Sequence, residues 1–235
     1  MKRMMMAAGA VLVAVMASGA ENTLTEKEKA EGWKLLWDGE TTTGWRSTRN
    51  PAFPEKGWLI QDGELSVIPK GGGGDLITTG MYTNFILKVD YKLAKATNSG
   101  IKYFIDPKIN GGTSLEYQLL DPAHPDAKAG IDGNRWNASF YDVICAPRGE
   151  VLLKPLGEWN TAMIVSKGPH VEHWLNGEKV LAFERGSEGF RAAVAKSKFK
   201  GMTNWGENKA GHILLQDHSD QVWFRNLKIK VLSDE

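Results

Sequence analysis

One cysteine, Cys145, is all that the 235-residue chain carries. It therefore has no internal disulfide, and its stability must come from a packed core. Neither sign of charge is in surplus: 29 Lys and Arg stand against 28 Asp and Glu, with no basic run, so the electrostatic footprint of a nucleic-acid binder is missing. The apolar run "AAGAVLVAVMA" at 7–17 is shorter than the roughly 20 residues that a bilayer span needs. Internal repeats, Pro/Ser-rich linkers and the strand–helix alternation of a parallel α/β sheet are also lacking.

What is present begins with an export-like start. Lys2 and Arg3 precede the apolar run, and "SGA" places small residues for a cut after Ala20. Residues 1–20 read as a signal peptide and no cysteine lies near residue 20 for a lipid anchor, so the expected location is periplasmic or secreted, with no membrane attachment after cleavage. Residues 21–31 are a polar, helix-prone lead-in, and 32–235 read as a single domain. Glycine (26) and tryptophan (9) are both frequent, which suits a turn-rich β protein with aromatic surfaces.

Short strand patterns dominate that domain. "GWLIQDGELSVI" (57–68) is a hairpin around Asp62-Gly63, and "FILKVDYKLA" (85–94) alternates apolar and polar. Further strands are expected over 100–106, 114–121, 139–146, 161–168, 170–184, 212–217 and 221–232. One helix is expected over 187–199, capped by Ser187. The pattern is an all-β sandwich or jelly roll with one or two short helices.

The stretch "HVEHWLNG" (170–177) has two histidines and a glutamate, the ingredients of a metal site. Asn176-Gly177 between two apolar runs makes it a hairpin instead. On a strand, His170 and His173 point to opposite sheet faces and cannot share a metal. His173 is then either a satisfied core histidine or a site residue.

Six motifs in order, "GWKLLWDGETTTGW" (32–45), "NSGIKYF" (98–104), "EYQLLD" with "HPDA" (116–127), "NRWNASFYDVICA" (134–146), "KPLGEWNTAMIVSKGPHVEHWLNGEKV" (154–180) and "GHILLQDHSDQVWFRNLKIK" (211–230), resemble the 3-keto-disaccharide hydrolase family. The resemblance implies a concanavalin A-like β-sandwich of two antiparallel sheets, one concave. It also implies cleavage of the glycosidic bond of 3-keto-glycosides, by hydrolysis or by C2–H abstraction and elimination. Members of the family are exported by bacteria and follow a sugar 3-dehydrogenase, and a hydratase completes net hydrolysis where elimination comes first.

A ketone at C3 acidifies the C2 hydrogen. The chemistry needs a base, a partner for the enolate oxygen and an acid for the leaving oxygen, not two carboxylates flanking an oxocarbenium ion. Glu116 and Gln118 share one strand face, with Tyr117 and Leu119 on the other, so Glu116 is the first choice for base or sugar ligand against a solvated strand face. His218 follows Gln216 at even spacing, as acid or base or as a loop histidine. Lys154 is a candidate to hold the ketone or enolate oxygen, and Asp142 is a second carboxylate whose other reading is a buried hydrogen-bonding role. Gln118, Gln216, Asn134, Arg135, His173 and Trp136 complete the set of candidate substrate contacts. Asp121 and His124 sit in a Pro-bounded loop where a turn role is as natural.

No cofactor is demanded by spacing. A divalent metal such as calcium is left open by Asp/Glu-rich loops and His218. "KGGGGD" (70–75) lacks the Lys-Ser/Thr and the strand–loop–helix setting of a phosphate loop, and reads as a flexible turn. The alternative to an enzyme is a non-catalytic, lectin-like carbohydrate-binding module of the same fold.

Overall fold

A computed structural model describes residues 21–147 and 153–233. The signal peptide expected over 1–20 lies outside the described residues. The lead-in forms helix α1 (Glu26–Ala30), where Thr25 and Glu28 satisfy each other's backbone N–H groups in a capping box. It is tied to the domain, because the Lys228 ammonium reaches Glu28 at 2.9 Å and Asn22 exchanges hydrogen bonds with Asn226.

Thirteen strands follow among the described residues. They are β1 (Trp33–Leu35), β2 (Trp45–Ser47), β3 (Trp58–Gln61), β4 (Glu64–Val67), β5 (Leu76–Thr78), β6 (Phe85–Leu93) and β7 (Asn98–Ile105). Then come β8 (Leu115–Leu120), β9 (Trp159–Lys167), β10 (His170–Leu175), β11 (Glu178–Glu184), β12 (His212–Leu215) and β13 (Val222–Val231). Helix α2 (Glu188–Val194) lies between β11 and β12, with Ser187 accepting from the Phe190 N–H as its cap.

The strands build two antiparallel sheets. The larger runs β11-β10-β9-β6-β13-β4-β3, with β1 also paired to β13; the smaller runs β2-β5-β12-β7-β8. This is the expected jelly-roll sandwich. Along β6, Phe85, Leu87, Val89, Tyr91 and Leu93 are buried and the residues between them are not. They meet Ile101, Tyr103, Leu115, Tyr117 and Leu119 of the smaller sheet in one core. Each such side chain contributes about 1.5–3 kcal/mol of transfer free energy. Asp62-Gly63 and Asn176-Gly177 have positive φ at both central residues (53° and 72°, 51° and 90°), as tight hairpin turns require.

Three expectations change. No strand forms over 139–146: Ala138 and Asp142 take left-handed φ of 64° and 63°, so the chain doubles back and Phe140 bridges only to Tyr117 and Ile144. Phe140 instead stacks in a row with Phe183, Phe190 and Trp205, a packing demand that overrides its strand propensity. The helix stops at Val194, and 196–199 form turns held by the Ser197 hydroxyl. The glycine run is pinned rather than loose. A Cβ on Gly73 would fall 2.5 Å from the Lys56 carbonyl oxygen, and the Gly74 N–H donates to Asp217 at 2.9 Å.

Candidate active site

The outward face of the smaller sheet carries the polar residues of β7 and β8. In their register Lys102 faces Glu116 and Gly100 faces Gln118. The Glu116 carboxylate leans over Gly100, where a Cβ would lie 2.4 Å from Oε1; a side chain there would displace it. Turns 196–199 and the doubled-back segment bring Lys198, Phe199 and Tyr141 over this face, leaving a cleft of about 300 Å³. Its floor is Glu116, Gln118 and Lys102, with Gln216 and His218 arriving from the end of β12.

Charges are concentrated at that floor. Glu116 is buried, with 7% of its surface exposed, and the Lys102 ammonium stands 3.7 Å from Oε2. Burial raises the Glu116 pKa above the usual carboxylate value; Lys102, Lys198 and His218 oppose that rise and Asp75 adds to it. Burial lowers the pKa of Lys198, with Glu116 and Asp142 pulling it back up. The Lys198 ammonium lies over the Tyr141 ring at 4.2 Å. Burial pushes the Tyr141 phenol up to about 12, so it stays protonated at neutral pH.

Polar groups around the floor are held yet incompletely satisfied. Asn98 accepts from Gln118 Nε2 at 2.9 Å, donates its side-chain amide to Asp126, and donates its backbone N–H to Asp220. Asp220 in turn sits 4.0 Å from His218 Nδ1. Gln118 Oε1, Gln216 Oε1 and Ser114 Oγ are buried without any hydrogen-bond partner. An unmade hydrogen bond at a buried polar atom costs about 1–3 kcal/mol, so three at one cleft mark a surface shaped for a polar ligand.

Of the residues singled out from the sequence, Glu116, Gln118, Gln216 and His218 line this cleft together. The others are elsewhere or play other parts. His173 is fully buried in the core: its Nε2 meets the Tyr103 hydroxyl at 2.7 Å and its Nδ1 the Ala138 carbonyl at 2.9 Å. Burial takes its pKa down to about 4, so it is neutral and structural, not a substrate contact. Lys154 sits by the larger sheet, donating to the Trp159 carbonyl at 2.9 Å, and does not reach the cleft.

Asp142 pairs with Arg135 at 2.6 Å and accepts from the Lys198 N–H at 2.8 Å. It holds the turn that presents Lys198 rather than facing the cleft. Asn134 accepts from the Ile131 N–H within its own loop, and Trp136 is outside the lining. His124 caps a single 3-10 turn at Pro125–Lys128, the turn role open for it. Asn137, next to Trp136, is buried against Tyr91 and Leu120. Among the described residues no group of three or more His, Cys, Asp or Glu could hold a metal ion.

Sequence reasoning missed Lys102, Lys198, Tyr141, Ser114 and, at the margin, Asp75. Strand parity holds the signal for Lys102, which falls on the Gly100 face of β7 opposite Glu116. Nothing local signals Lys198 or Tyr141, which arrive through turns.

Comparison with known proteins gives the family and the fold. A model of the 3-keto-alpha-glucoside-1,2-lyase-like domain matches residues 32–230. The chain is 38% identical to a 3-keto-disaccharide hydrolase of Bacteroides thetaiotaomicron, over 86% of this chain and 79% of that one. A crystal structure of a candidate glycosyl hydrolase from Parabacteroides distasonis superposes with a TM-score of 0.81 at 34% identity, covering 91% of this chain and all (100%) of that one. A second from the same organism gives 0.66 at 27%, covering 85% and 99%. With the match spanning nearly the whole described domain, the chain belongs to the 3-keto-alpha-glucoside-1,2-lyase-like family and is an enzyme of the glycoside-cleaving kind.

Proposed function

We propose that the protein cleaves 3-keto-glycosides by eliminating the C1 substituent. The reading rests above all on Glu116, the one carboxylate among the described residues lining the cleft, buried between Lys102 and Lys198. A direct glycoside hydrolase needs a second carboxylate across the bond, about 5–10 Å away. A ketone-assisted elimination needs one base and cations for the enolate.

In this reading Glu116 removes the C2 proton, and the electron pair moves to the C3 oxygen, where Lys102 and Lys198 meet the negative charge. The raised Glu116 pKa makes the carboxylate a stronger base than an exposed one. The enolate then expels the C1 oxygen, which takes a proton from His218, leaving a 2-hydroxy-glycal-type ketone. Addition of water to that product gives net hydrolysis, on this protein or on a hydratase. Gln118, Gln216 and Ser114 offer their unpartnered oxygens to sugar hydroxyls.

Turnover of a 3-keto-glucoside in deuterated water tests this. Loss of the original C2 hydrogen is expected: the first product is the unsaturated ketone, which has no hydrogen on C2, and deuterium stands at C2 once water adds to it; release of a product that keeps its original C2 hydrogen rules out elimination, and no release at all rules out the activity. The substrate's ketone requires a sugar 3-dehydrogenase upstream. We further read residues 1–20 as an export signal, which N-terminal sequencing of a periplasmic fraction checks, with Glu21 as the expected first residue.

A further inference from the structure

Gly100 stands in the middle of a cross-strand row on the cleft floor. Gln118 is its partner on β8, and Gln216, just past β12, donates its backbone N–H to the Gly100 carbonyl at 3.0 Å. The glycine puts no side chain between the two glutamines, and both Oε1 atoms are buried without a partner among the described residues. On one side of this row Lys102 faces Glu116. On the other stand Asn98 and, two residues beyond Gln216, His218.

The direction of the Gln118 amide is set from outside the cleft. Asp126, in the 3-10 turn capped by His124, presents a carboxylate that can only accept. Asn98 Nδ2 donates to it at 2.9 Å, so Asn98 Oδ1 must face the other way, where it accepts from Gln118 Nε2 at 2.9 Å. The unmatched end of Gln118 is therefore its oxygen and not its amino group. Flipping either amide would set carbonyl against carboxylate or amino group against amino group, which is costly because Asn98 and Gln118 are both buried. The floor is thus polarised, with ammonium donors at Lys102 and Lys198 and a fixed acceptor at Gln118.

We infer that Gln118 is a specificity residue that accepts a hydrogen bond from the C2 hydroxyl of the sugar, and that Asp126, acting through Asn98, is its positioning residue. The inference rests on the elimination reading of the cleft. In that reading the C3 oxygen lies by the two lysines and the C1 oxygen by His218, so C2 falls between them, over the glutamine row. A hydroxyl there donates to Gln118 Oε1. A bare hydrogen leaves that buried oxygen unmatched, and an oxo group sets it against another carbonyl. The site then reads the hydroxyl beside the ketone as well as the ketone itself. The Pro-bounded turn at 125–128 does more than reverse the chain, because its carboxylate gives the relay its direction.

The test compares kcat/KM on phenyl 3-keto-glucoside and on its 2-deoxy analogue, which keeps a hydrogen at C2 and can still eliminate. The ratio is measured for the full chain and for its Gln118→Met and Asp126→Asn variants. Gln118→Met removes the acceptor and should shrink the preference for the C2 hydroxyl roughly tenfold. Asp126→Asn lets the relay run in either direction and should shrink it by a smaller factor. Should Gln118→Met fail to fold, Asp126→Asn carries the test, since its side chain is 34% exposed and lies outside the cleft lining. A ratio unmoved in a folded variant overturns the relay while the elimination reading stands. Release of phenol from neither glycoside by the wild type overturns both.

Discussion

The outward faces of the two sheets differ in how their charges are used. On the larger sheet, Lys92 and Glu172 are well partnered, although Arg225 Nε is buried there without a hydrogen bond. Lys92 bridges to Glu64 at 3.1 Å and lies over the rings of Trp159 and Trp223, and Glu172 binds Lys179, Trp174 and His170. On the smaller sheet, Glu116 and Lys102 stand 3.7 Å apart, and three buried oxygens nearby have no partner at all. A paired, tryptophan-tiled face is a structural surface. An unsatisfied polar face beneath overhanging loops is maintained at a cost to stability, and such a cost is expected where a ligand completes the bonds.

The sharpest way to break this contrast is Glu116→Gln. As the base in elimination, its loss should lower kcat by about 10²–10⁴. The protein should be no less stable at neutral pH. With the folded pKa raised, the unfolded chain ionises first as pH rises past the ordinary carboxylate value, so the native carboxylate costs stability above that pH. A large drop in melting temperature would make Glu116 structural and dissolve the contrast.

Lys102→Met should cost about 10²–10³ in kcat through the enolate. It should also move the acid limb of the pH–rate profile to higher pH, since Lys102 holds the Glu116 pKa down. An unmoved limb would remove Lys102 from the mechanism.

His173→Phe sharpens the contrast from inside the core. His173 is neutral in the folded state, with a pKa of about 4 against 6.5 for the free side chain. Between those values only the unfolded chain takes up the proton, so the wild type should lose about 3 kcal/mol as pH falls from 6.5 to 4. The variant should lack that slope and retain its kcat once folded; a fall in kcat would return His173 to the site.

Gly100→Ala should lower kcat about tenfold, because the new Cβ would fall 2.4 Å from Glu116 Oε1 and 3.0 Å from its Cγ and displace the proposed base. Smallest of all, Lys92→Ala on the paired face should cost about 0.5–1 kcal/mol of stability and no activity. Loss of turnover there would show that the larger sheet also contributes.

Much of the sandwich could be read in advance because its signals are local. Alternation in 85–93 and the Asn-Gly and Asp-Gly turns fix which side chains face inward and where the chain reverses. The same parity put Glu116 with Gln118 and separated His170 from His173. Segment 139–146 misled for the opposite reason: its β-prone side chains were claimed by an aromatic stack assembled from three distant parts of the chain. Lys154 misled because a lysine's reach says nothing of which sheet it stands on.

The sequence by itself determined the two-layer β architecture, the family, and the strand face on which Glu116 and Gln118 sit, since all three follow from short-range pattern. Only the tertiary structure decided that His173 is sealed beside Tyr103 and Ala138, and that Lys102, Lys198 and Tyr141 close around Glu116. Burial and electrostatic neighbours depend on which remote segments the packed sheets and turns bring together, and no local pattern carries that information.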